Sequence, residues 1–245
     1  MKNHGLRLST IAWAAALLPF ITIHVSYLMA AAFGHVDWCI PYLESCTSIS
    51  ATGRQLPEKI WFKAMMIPAA LTAALMWWSA AAWSRTCGSG RYPRTLVAMP
   101  LLGLLAAVFL IMYTAALGES GDTYRLMRST GVKLSFAFTY LSQLMLTRLL
   151  GDVAQHQNDH LLSRWYPRLL GLNILLLIVG ILSVILDETV PVFYNRYVDD
   201  AFEWWMALLI NLYFACVALA WHPEPGRIGI VRSDPNDPDD DSKRQ

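Results

Sequence analysis

The stretch DWCIPYLESCTSISATGRQLPEKIWFK, residues 37–63, lies between two long apolar runs and differs from both. It contains two cysteines, two prolines and five Ser/Thr residues, and it closes with Trp61 and Lys63. A linker that only reverses the chain between two membrane helices needs none of these features. We therefore predict an ordered extracytoplasmic loop that covers one mouth of a helical bundle, with polar residues of the other segments gathered beneath it.

The composition indicates a polytopic membrane protein. Of the 245 residues, 56% are hydrophobic and 15% are charged, and the mean hydropathy is +0.39; soluble domains carry about 25% charged residues. The net charge is +1 and no long basic block is present, so nothing favours nucleic-acid binding. The sequence shows no zinc pattern, no phosphate-binding glycine loop and no hydrolase motif, so we expect no metal and no cofactor.

Six stretches are long enough to cross the membrane, since roughly 20 apolar residues span about 30 Å of hydrocarbon. They run approximately over residues 8–33, 60–83, 96–117, 131–150, 169–186 and 201–221. The predicted fold is therefore an all-α bundle of six transmembrane helices over residues 1–222. The proline-rich, acidic residues 223–245 are predicted to form a disordered tail.

The fourth predicted span is the least apolar of the six. Its small and polar residues Gly131, Ser135, Thr139 and Ser142 are spaced by four, four and three positions, which places them on one helix face. We expect this stripe to point into the bundle, because lipid offers no partners for its hydroxyl groups.

The basic residues orient the bundle. With the N-terminus in the cytoplasm, twelve of the nineteen Lys and Arg residues fall on the inner side, and cytoplasmic loops are the ones enriched in these residues. We therefore predict that both termini are cytoplasmic and that the 37–63 stretch lies outside. Cys39 and Cys46 then share an oxidising compartment and are predicted to form a disulfide, with two reduced buried thiols as the alternative.

Five ionisable residues fall within predicted spans or at their ends, all in the outer half of the bundle: His24, Lys63, Lys133, Asp187 and Glu203. Such groups are costly in a membrane and are candidates for function. Lysines one turn into a span can instead extend to the interface, and His24 can have a structural role. Their common depth favours a binding site for a polar headgroup. We further predict that Glu203 pairs with Lys63 or Lys133.

Several motifs resemble those of one six-span family. In the loop these are Cys39-Ile40-Pro41-Tyr42-Leu43, Ser48-Ile49-Ser50 with Gly53, Pro57-Glu58 and Trp61-Phe62-Lys63, and in the last span Glu203-Trp204, Ala207 and Tyr213-Phe214. The family includes the damage-regulated autophagy modulators and the eukaryotic factor for lipid remodelling of GPI anchors. It also includes the N-terminal domain of the yeast cell-wall protein that puts ceramide on GPI anchors. The resemblance covers residues 8–221.

The resemblance implies a six-span bundle with a cytoplasmic N-terminus and a role with lipids. It also adds Trp204 and Arg128 to the candidate site. The family usually has a His shortly before the glycine that opens the fourth span, whereas this chain has Arg128-Ser129-Thr130 before Gly131. Chemistry that needs that His is not expected here. The short tail and the lack of organelle signals fit a bacterial member in the inner membrane, where no GPI anchor exists.

Three functions follow as alternatives. The protein binds or helps remodel a lipid with a polar headgroup at the extracytoplasmic leaflet, or it is a scaffold or regulator of a partner membrane protein, or it is a small transporter. Against a transporter, the spans lack matching Gly/Pro breaks at the midplane. No nucleophile and base stand at a recognisable spacing, so the sequence assigns no catalytic residue. The expected partners are a membrane lipid and a membrane protein.

Overall fold

The computed structural model describes residues 6–87, 92–191, 198–221 and 227–228. Its long helices are α1 (Leu8–Ala32), α3 (Glu58–Thr86), α4 (Pro93–Ala116), α5 (Asp122–His156), α6 (His160–Thr189) and α7 (Asp199–Ala220). The connection between α1 and α3, residues 33–57, contains the one-turn helix α2 (Pro41–Glu44) and the 3₁₀ turn Ala51–Gly53. We call it the α1–α3 loop. Two-residue strands, β1 (Leu6–Arg7) and β2 (Arg227–Ile228), pair antiparallel. The proposed tail, residues 223–245, lies almost wholly outside the described residues.

Five of the described helices are long and apolar enough to cross a membrane, namely α1, α3, α4, α6 and α7. The protein is therefore a polytopic helical membrane protein. The fourth predicted span lies inside α5, which is the longest helix but is not among the five. The physical reason is its content of polar side chains, including Lys133, Gln143 and Arg148, which lowers the apolar character of the segment.

The long helices form a closed ring. Each packs against its neighbour in the order α1, α3, α4, α5, α6 and α7, and α7 returns beside α1. Small residues make close contact possible on the inner faces. Ala12, Ala15, Ala70 and Ala80 are almost completely buried there. The ring leaves an interior space that the α1–α3 loop covers at one end.

The polar stripe of α5 faces the interior of the protein, as predicted. Gly131, Ser135 and Ser142 are buried, and the Ser142 hydroxyl donates to the Met99 carbonyl at 3.2 Å. A Cβ atom at Gly131 would lie 2.9 Å from the Phe109 carbonyl oxygen, which is backbone and cannot move aside. Gly131 therefore allows α5 to lie directly against α4.

A buried polar network joins α5, α6 and α7 at the end of the bundle away from the loop. The Asn173 amide donates to the Thr147 hydroxyl at 2.9 Å, and that hydroxyl lies 2.9 Å from the Tyr213 hydroxyl. The Tyr213 hydroxyl also lies 2.8 Å from the Gln143 carbonyl. These bonds give partners to polar groups inside apolar spans, which would otherwise be costly.

Candidate functional site

The α1–α3 loop is bonded to the first two turns of α7. Four hydrogen bonds join them: the Ala201 amide donates to Ser45 Oγ (3.2 Å), the Ile49 amide to Glu203 Oε2 (3.1 Å), the Trp204 indole to the Thr47 carbonyl (2.8 Å), and the Trp205 indole to the Tyr42 carbonyl (3.0 Å). Because they are spread along the loop, these bonds fix it over the end of the bundle. The sequence predicts an ordered loop, and in the structure Glu203, Trp204 and Trp205 of α7 make three of these four bonds to it.

The loop is also held to itself and to α1. Cys39 and Cys46 form the predicted disulfide. The Tyr27 hydroxyl of α1 accepts from the Cys39 amide at 2.8 Å and donates to the Cys39 carbonyl at 2.7 Å. The buried Ser26 hydroxyl donates to the Thr52 carbonyl at 2.6 Å. The loop is thus a closed cover rather than an open linker.

An aromatic cluster lies directly under the loop, centred on the fully buried Trp204. The indole ring meets the rings of His24, Tyr27 and Tyr42 edge-on, with centroids 5.5–6.0 Å apart. Such edge-to-face pairs add to the stabilisation from apolar burial. Trp204, which the sequence places in the candidate site, therefore supports the loop from below.

His24 has both ring nitrogens occupied by protein groups. Nδ1 lies 2.7 Å from the Phe20 carbonyl oxygen, and Nε2 lies 2.8 Å from the Tyr42 hydroxyl. Since a carbonyl only accepts, Nδ1 carries the proton and Nε2 accepts from Tyr42. Burial raises the pKa of Tyr42 to about 12, so its hydroxyl remains protonated at neutral pH. His24 thus links α1 to the loop, and this contact gives it a structural role.

Lys63 and Arg128 each bind groups of the turn between α4 and α5. Lys59 and Lys63 contact one oxygen of Glu119 at 2.8 and 3.1 Å, and their hydrogen bonds and positive charges hold the pKa of that carboxyl below its usual value. The Arg128 guanidinium donates to the Glu119 carbonyl at 2.8 Å and to the Ala116 carbonyl at 3.1 Å. These cations therefore fasten the turn beside the loop.

The predicted pairing of Glu203 with Lys63 or Lys133 is wrong. No lysine or arginine nitrogen of the described residues lies within 4.0 Å of the Glu203 carboxylate, whose Oε2 accepts the Ile49 amide instead. Lys63 is engaged by Glu119, and Lys133 is exposed on α5. The physical reason is the presence of a nearer acid for Lys63 and a backbone donor for Glu203.

The remaining predicted site residues lie on the surface of the protein. Lys133 and Asp187 are both exposed, and neither makes a hydrogen bond or ion pair within the part of the chain that the structure describes. The predicted cluster thus divides into separate groups. His24 and Trp204 support the loop, Lys63 and Arg128 hold the α4–α5 turn, and Lys133 and Asp187 lie on the surface.

A cavity lies inside the ring of helices, beneath the loop. Water-sized molecules can be centred over about 100 Å³ of it, which is several times the 10–15 Å³ that one water requires. Its polar lining comes from α4, α5 and α7: Tyr113, Ser135, Thr139, Glu203 and Asn211. Of these, the sequence identifies Glu203 as a site residue and places Ser135 and Thr139 on an inward stripe.

The polar groups that line this cavity have unused hydrogen-bonding capacity. The Tyr113 hydroxyl is buried and makes no hydrogen bond. Ser135, Asn211 and Glu203 Oε1 likewise make none with the described residues. Most buried polar groups in proteins have a partner. The cavity therefore presents hydroxyl, amide and carboxylate groups to whatever molecule occupies it.

The sequence misses Tyr113 and Asn211 as site residues. Asn211 carries a detectable signal, because a lone amide in an apolar span is unusual. Tyr113 carries none, since tyrosine is common near the ends of membrane helices. The sequence also misses the pair of His35 Nδ1 and Glu58 Oε1 at 2.6 Å, in which Glu58 is fully buried. This pair joins the two ends of the α1–α3 loop.

Residues 7–223 match the family model described as the Frag1/DRAM/Sfk1/Cwh43P N-terminal domain. The chain belongs to this family. The matched segment of this Frag1-family protein includes the loop, the cavity and every long helix. Comparison with curated proteins finds no match, and comparison with solved structures finds none.

Proposed function

We propose that this Frag1-family protein binds a membrane lipid whose polar headgroup lies in the cavity beneath the α1–α3 loop, at the extracytoplasmic leaflet. The observation that carries the proposal is the set of cavity-lining polar groups that have no protein partner, above all the buried Tyr113 hydroxyl. A headgroup would provide those partners, and bound lipid could then be held for remodelling.

The acidic side chain in the cavity favours one class of headgroup. Glu203 contributes one free carboxylate oxygen, and no lysine or arginine nitrogen of the described residues lies within 4.0 Å of it. A carboxylate removed from water is stabilised by hydrogen-bond donors, and by positive charge most strongly. We therefore propose a headgroup that carries an amine or several hydroxyl groups.

The Tyr113→Phe variant tests this function. Removing an unpartnered buried hydroxyl while keeping the ring should leave the free energy of unfolding unchanged, or raise it by about 1 kcal/mol. The same change removes a donor from the cavity, so the fraction of purified protein that retains lipid, measured by native mass spectrometry, should fall. Equal lipid retention by the variant and the parent protein would count against a headgroup at Tyr113.

The proposal includes the orientation of the chain. We propose that α5 crosses the membrane as a sixth span, that both termini are cytoplasmic and that the location is the inner membrane if the protein is bacterial. Support comes from the basic residues and from the position of α5 in the ring, between α4 and α6.

Reporter fusions test this topology. A phosphatase that is active only outside the cytoplasm should be inactive when fused after Cys87, between α3 and α4, and active when fused after Gly121, between α4 and α5. The opposite pattern would place the loop and the cavity at the cytoplasmic leaflet and would contradict the proposed site.

A further inference from the structure

The cavity has a thin wall on one side of the ring. The helix α7 packs mainly against α1 and α6, and α5 packs mainly against α4 and α6, so α5 and α7 barely touch each other. Phe136 of α5 and Ile210 of α7 line the cavity on that side. Between α5 and α7 themselves, side chains therefore close the cavity, and α6, which packs against both helices, lies next to this gap.

An apolar groove lies on the other side of the same wall. It is bounded by α5, α6 and α7, with Tyr140, Gly180 and Met206 among its lining residues, and its volume is about 380 Å³. Phe136 and Ile210 line this groove as well as the cavity. These two side chains thus lie between the groove and a cavity whose mainly apolar lining also includes five polar residues.

The surroundings of the groove indicate its occupant. The helix α6 is the most apolar of the candidate spans and the least buried. Its exposed side chains include Ile174, Ile178, Ile181 and Ile185. In a membrane such a surface contacts hydrocarbon, so the groove is open to the acyl chains of lipids.

Entry through the loop end of the bundle is obstructed. The α1–α3 loop is closed by its disulfide, by the bonds of Tyr27 and Ser26, and by the four hydrogen bonds to α7. A lipid that entered from above would have to break several of these contacts together. On the side between α5 and α7, Phe136 and Ile210 line both the cavity and the groove.

We propose that the bound lipid places an acyl chain in the groove between α5, α6 and α7, and that it enters the cavity sideways from the membrane, between α5 and α7, past Phe136 and Ile210. This inference rests on the proposed function, since the headgroup in the cavity determines where the chain begins. Burial of the acyl chain in the groove adds to the binding energy that the polar contacts of the headgroup provide.

Two substitutions fill the groove from opposite walls. Gly180 lines the groove, and a Cβ atom there would meet nothing within 4 Å, so Gly180→Leu adds a side chain to the groove. Ala137→Phe acts from α5, where Ala137 is exposed and lines the groove. The matched control is Gly171→Leu, which makes the same change on α6 at a position that is equally open but does not line the groove.

The measurement uses the full chain in vesicles that contain phosphatidylethanolamine with a diazirine in one acyl chain. Native mass spectrometry measures the lipid retained after purification. Photocrosslinking shows which peptides of the protein lie beside the acyl chain. We expect Gly180→Leu and Ala137→Phe to retain about ten-fold less lipid, equivalent to about 1.4 kcal/mol of lost binding. Crosslinks to the peptides that contain Phe136 and Ile210 should weaken in parallel, whereas Gly171→Leu should behave as the parent protein does.

Failure of the inference differs from failure of the proposed function. If the parent protein, both groove variants and the control retain lipid equally, the acyl chain of the lipid does not lie in the groove and the inference is overturned. The headgroup site would stand in that case. If the parent protein retains no lipid at all, the proposed function is overturned and the inference with it. Thermal unfolding of each variant checks that the fold is intact.

Discussion

Replacing Trp204 by alanine is expected to lower the free energy of unfolding by about 3–5 kcal/mol, the range observed when a buried aromatic side chain is truncated. Trp204 is completely buried, and its indole donates to the Thr47 carbonyl at 2.8 Å. It also packs edge-on against His24, Tyr27 and Tyr42. Its loss would open a cavity at the point where α1, α7 and the α1–α3 loop meet.

The neighbouring Trp205 provides the control. Its indole also donates to the loop, at the Tyr42 carbonyl, but 41% of the residue is exposed. Trp205→Ala therefore removes a comparable hydrogen bond with much less burial, and we expect a loss of about 1 kcal/mol. Denaturant or thermal unfolding in one detergent measures both variants, and limited proteolysis of the loop reports whether it has been released.

Similar losses for the two tryptophan variants would show that the indole hydrogen bonds, and not the buried ring of Trp204, hold the loop. A loop that stays resistant to protease in Trp204→Ala would contradict its assignment as the central support.

The sequence predicts the helical architecture because membrane helices leave a strong apolar signal. It predicts the ordered loop because Cys39, Cys46 and the Ser/Thr residues of the 37–63 stretch are unusual in a linker. The bonding of this loop to Trp204 and Trp205 joins segments more than 150 positions apart. No periodicity or spacing within either segment specifies such a contact.

The ionic contacts are the part that sequence reasoning misplaces. Equal depth in the membrane is a one-dimensional criterion, and it does not say on which side of its helix a residue lies. Lys63 and Lys133 share a predicted depth with Glu203, but Lys63 faces the α4–α5 turn and Lys133 faces outward. Glu119 lies in a short polar turn, where an acid is ordinary, and it is the actual partner of Lys63.

The cavity shows the same limit of sequence reasoning, here for residues that it does not identify. The stripe of Ser135 and Thr139 follows from helical spacing, and its inward direction follows from the cost of hydroxyl groups in lipid. That Tyr113 and Asn211 line the same space depends on how α4 and α7 are rotated around their axes, which the residue pattern of each helix alone does not fix. Glu203 is a candidate from the sequence because it is an acid within a predicted span, and from the structure because it lines the cavity.

Replacing Glu203 by glutamine is expected to reduce lipid retention about ten-fold while leaving the fold stable. The glutamine carbonyl oxygen can still accept the Ile49 amide, so the bond between α7 and the loop is kept. The oxygen that faces the cavity is replaced by the amide NH₂ group in that arrangement, so an acceptor becomes a donor. Leaving a buried hydrogen-bonding partner unsatisfied costs about 1–3 kcal/mol, which covers the change of about 1.4 kcal/mol that a ten-fold change in binding requires.

Two further variants separate the roles of this carboxylate. Glu203→Ala also leaves the Ile49 amide without its acceptor, which should cost about 1–3 kcal/mol of folding stability in addition to the loss of lipid. Glu188→Gln makes the same substitution at an exposed position near the end of α6 and should change neither quantity. Native mass spectrometry and thermal unfolding measure all three variants in one preparation.

The pattern of results shows whether Glu203 only holds the loop or also contacts the lipid headgroup. If Glu203→Gln retains as much lipid as the parent protein while Glu203→Ala unfolds more easily, Glu203 serves only to hold the loop, and the cavity must bind its occupant through Tyr113, Ser135 and Asn211. If Glu203→Gln loses lipid and keeps its stability, the second carboxylate oxygen contacts the headgroup. We expect the second result, because Oε2 already satisfies the loop and Oε1 has no other partner among the described residues.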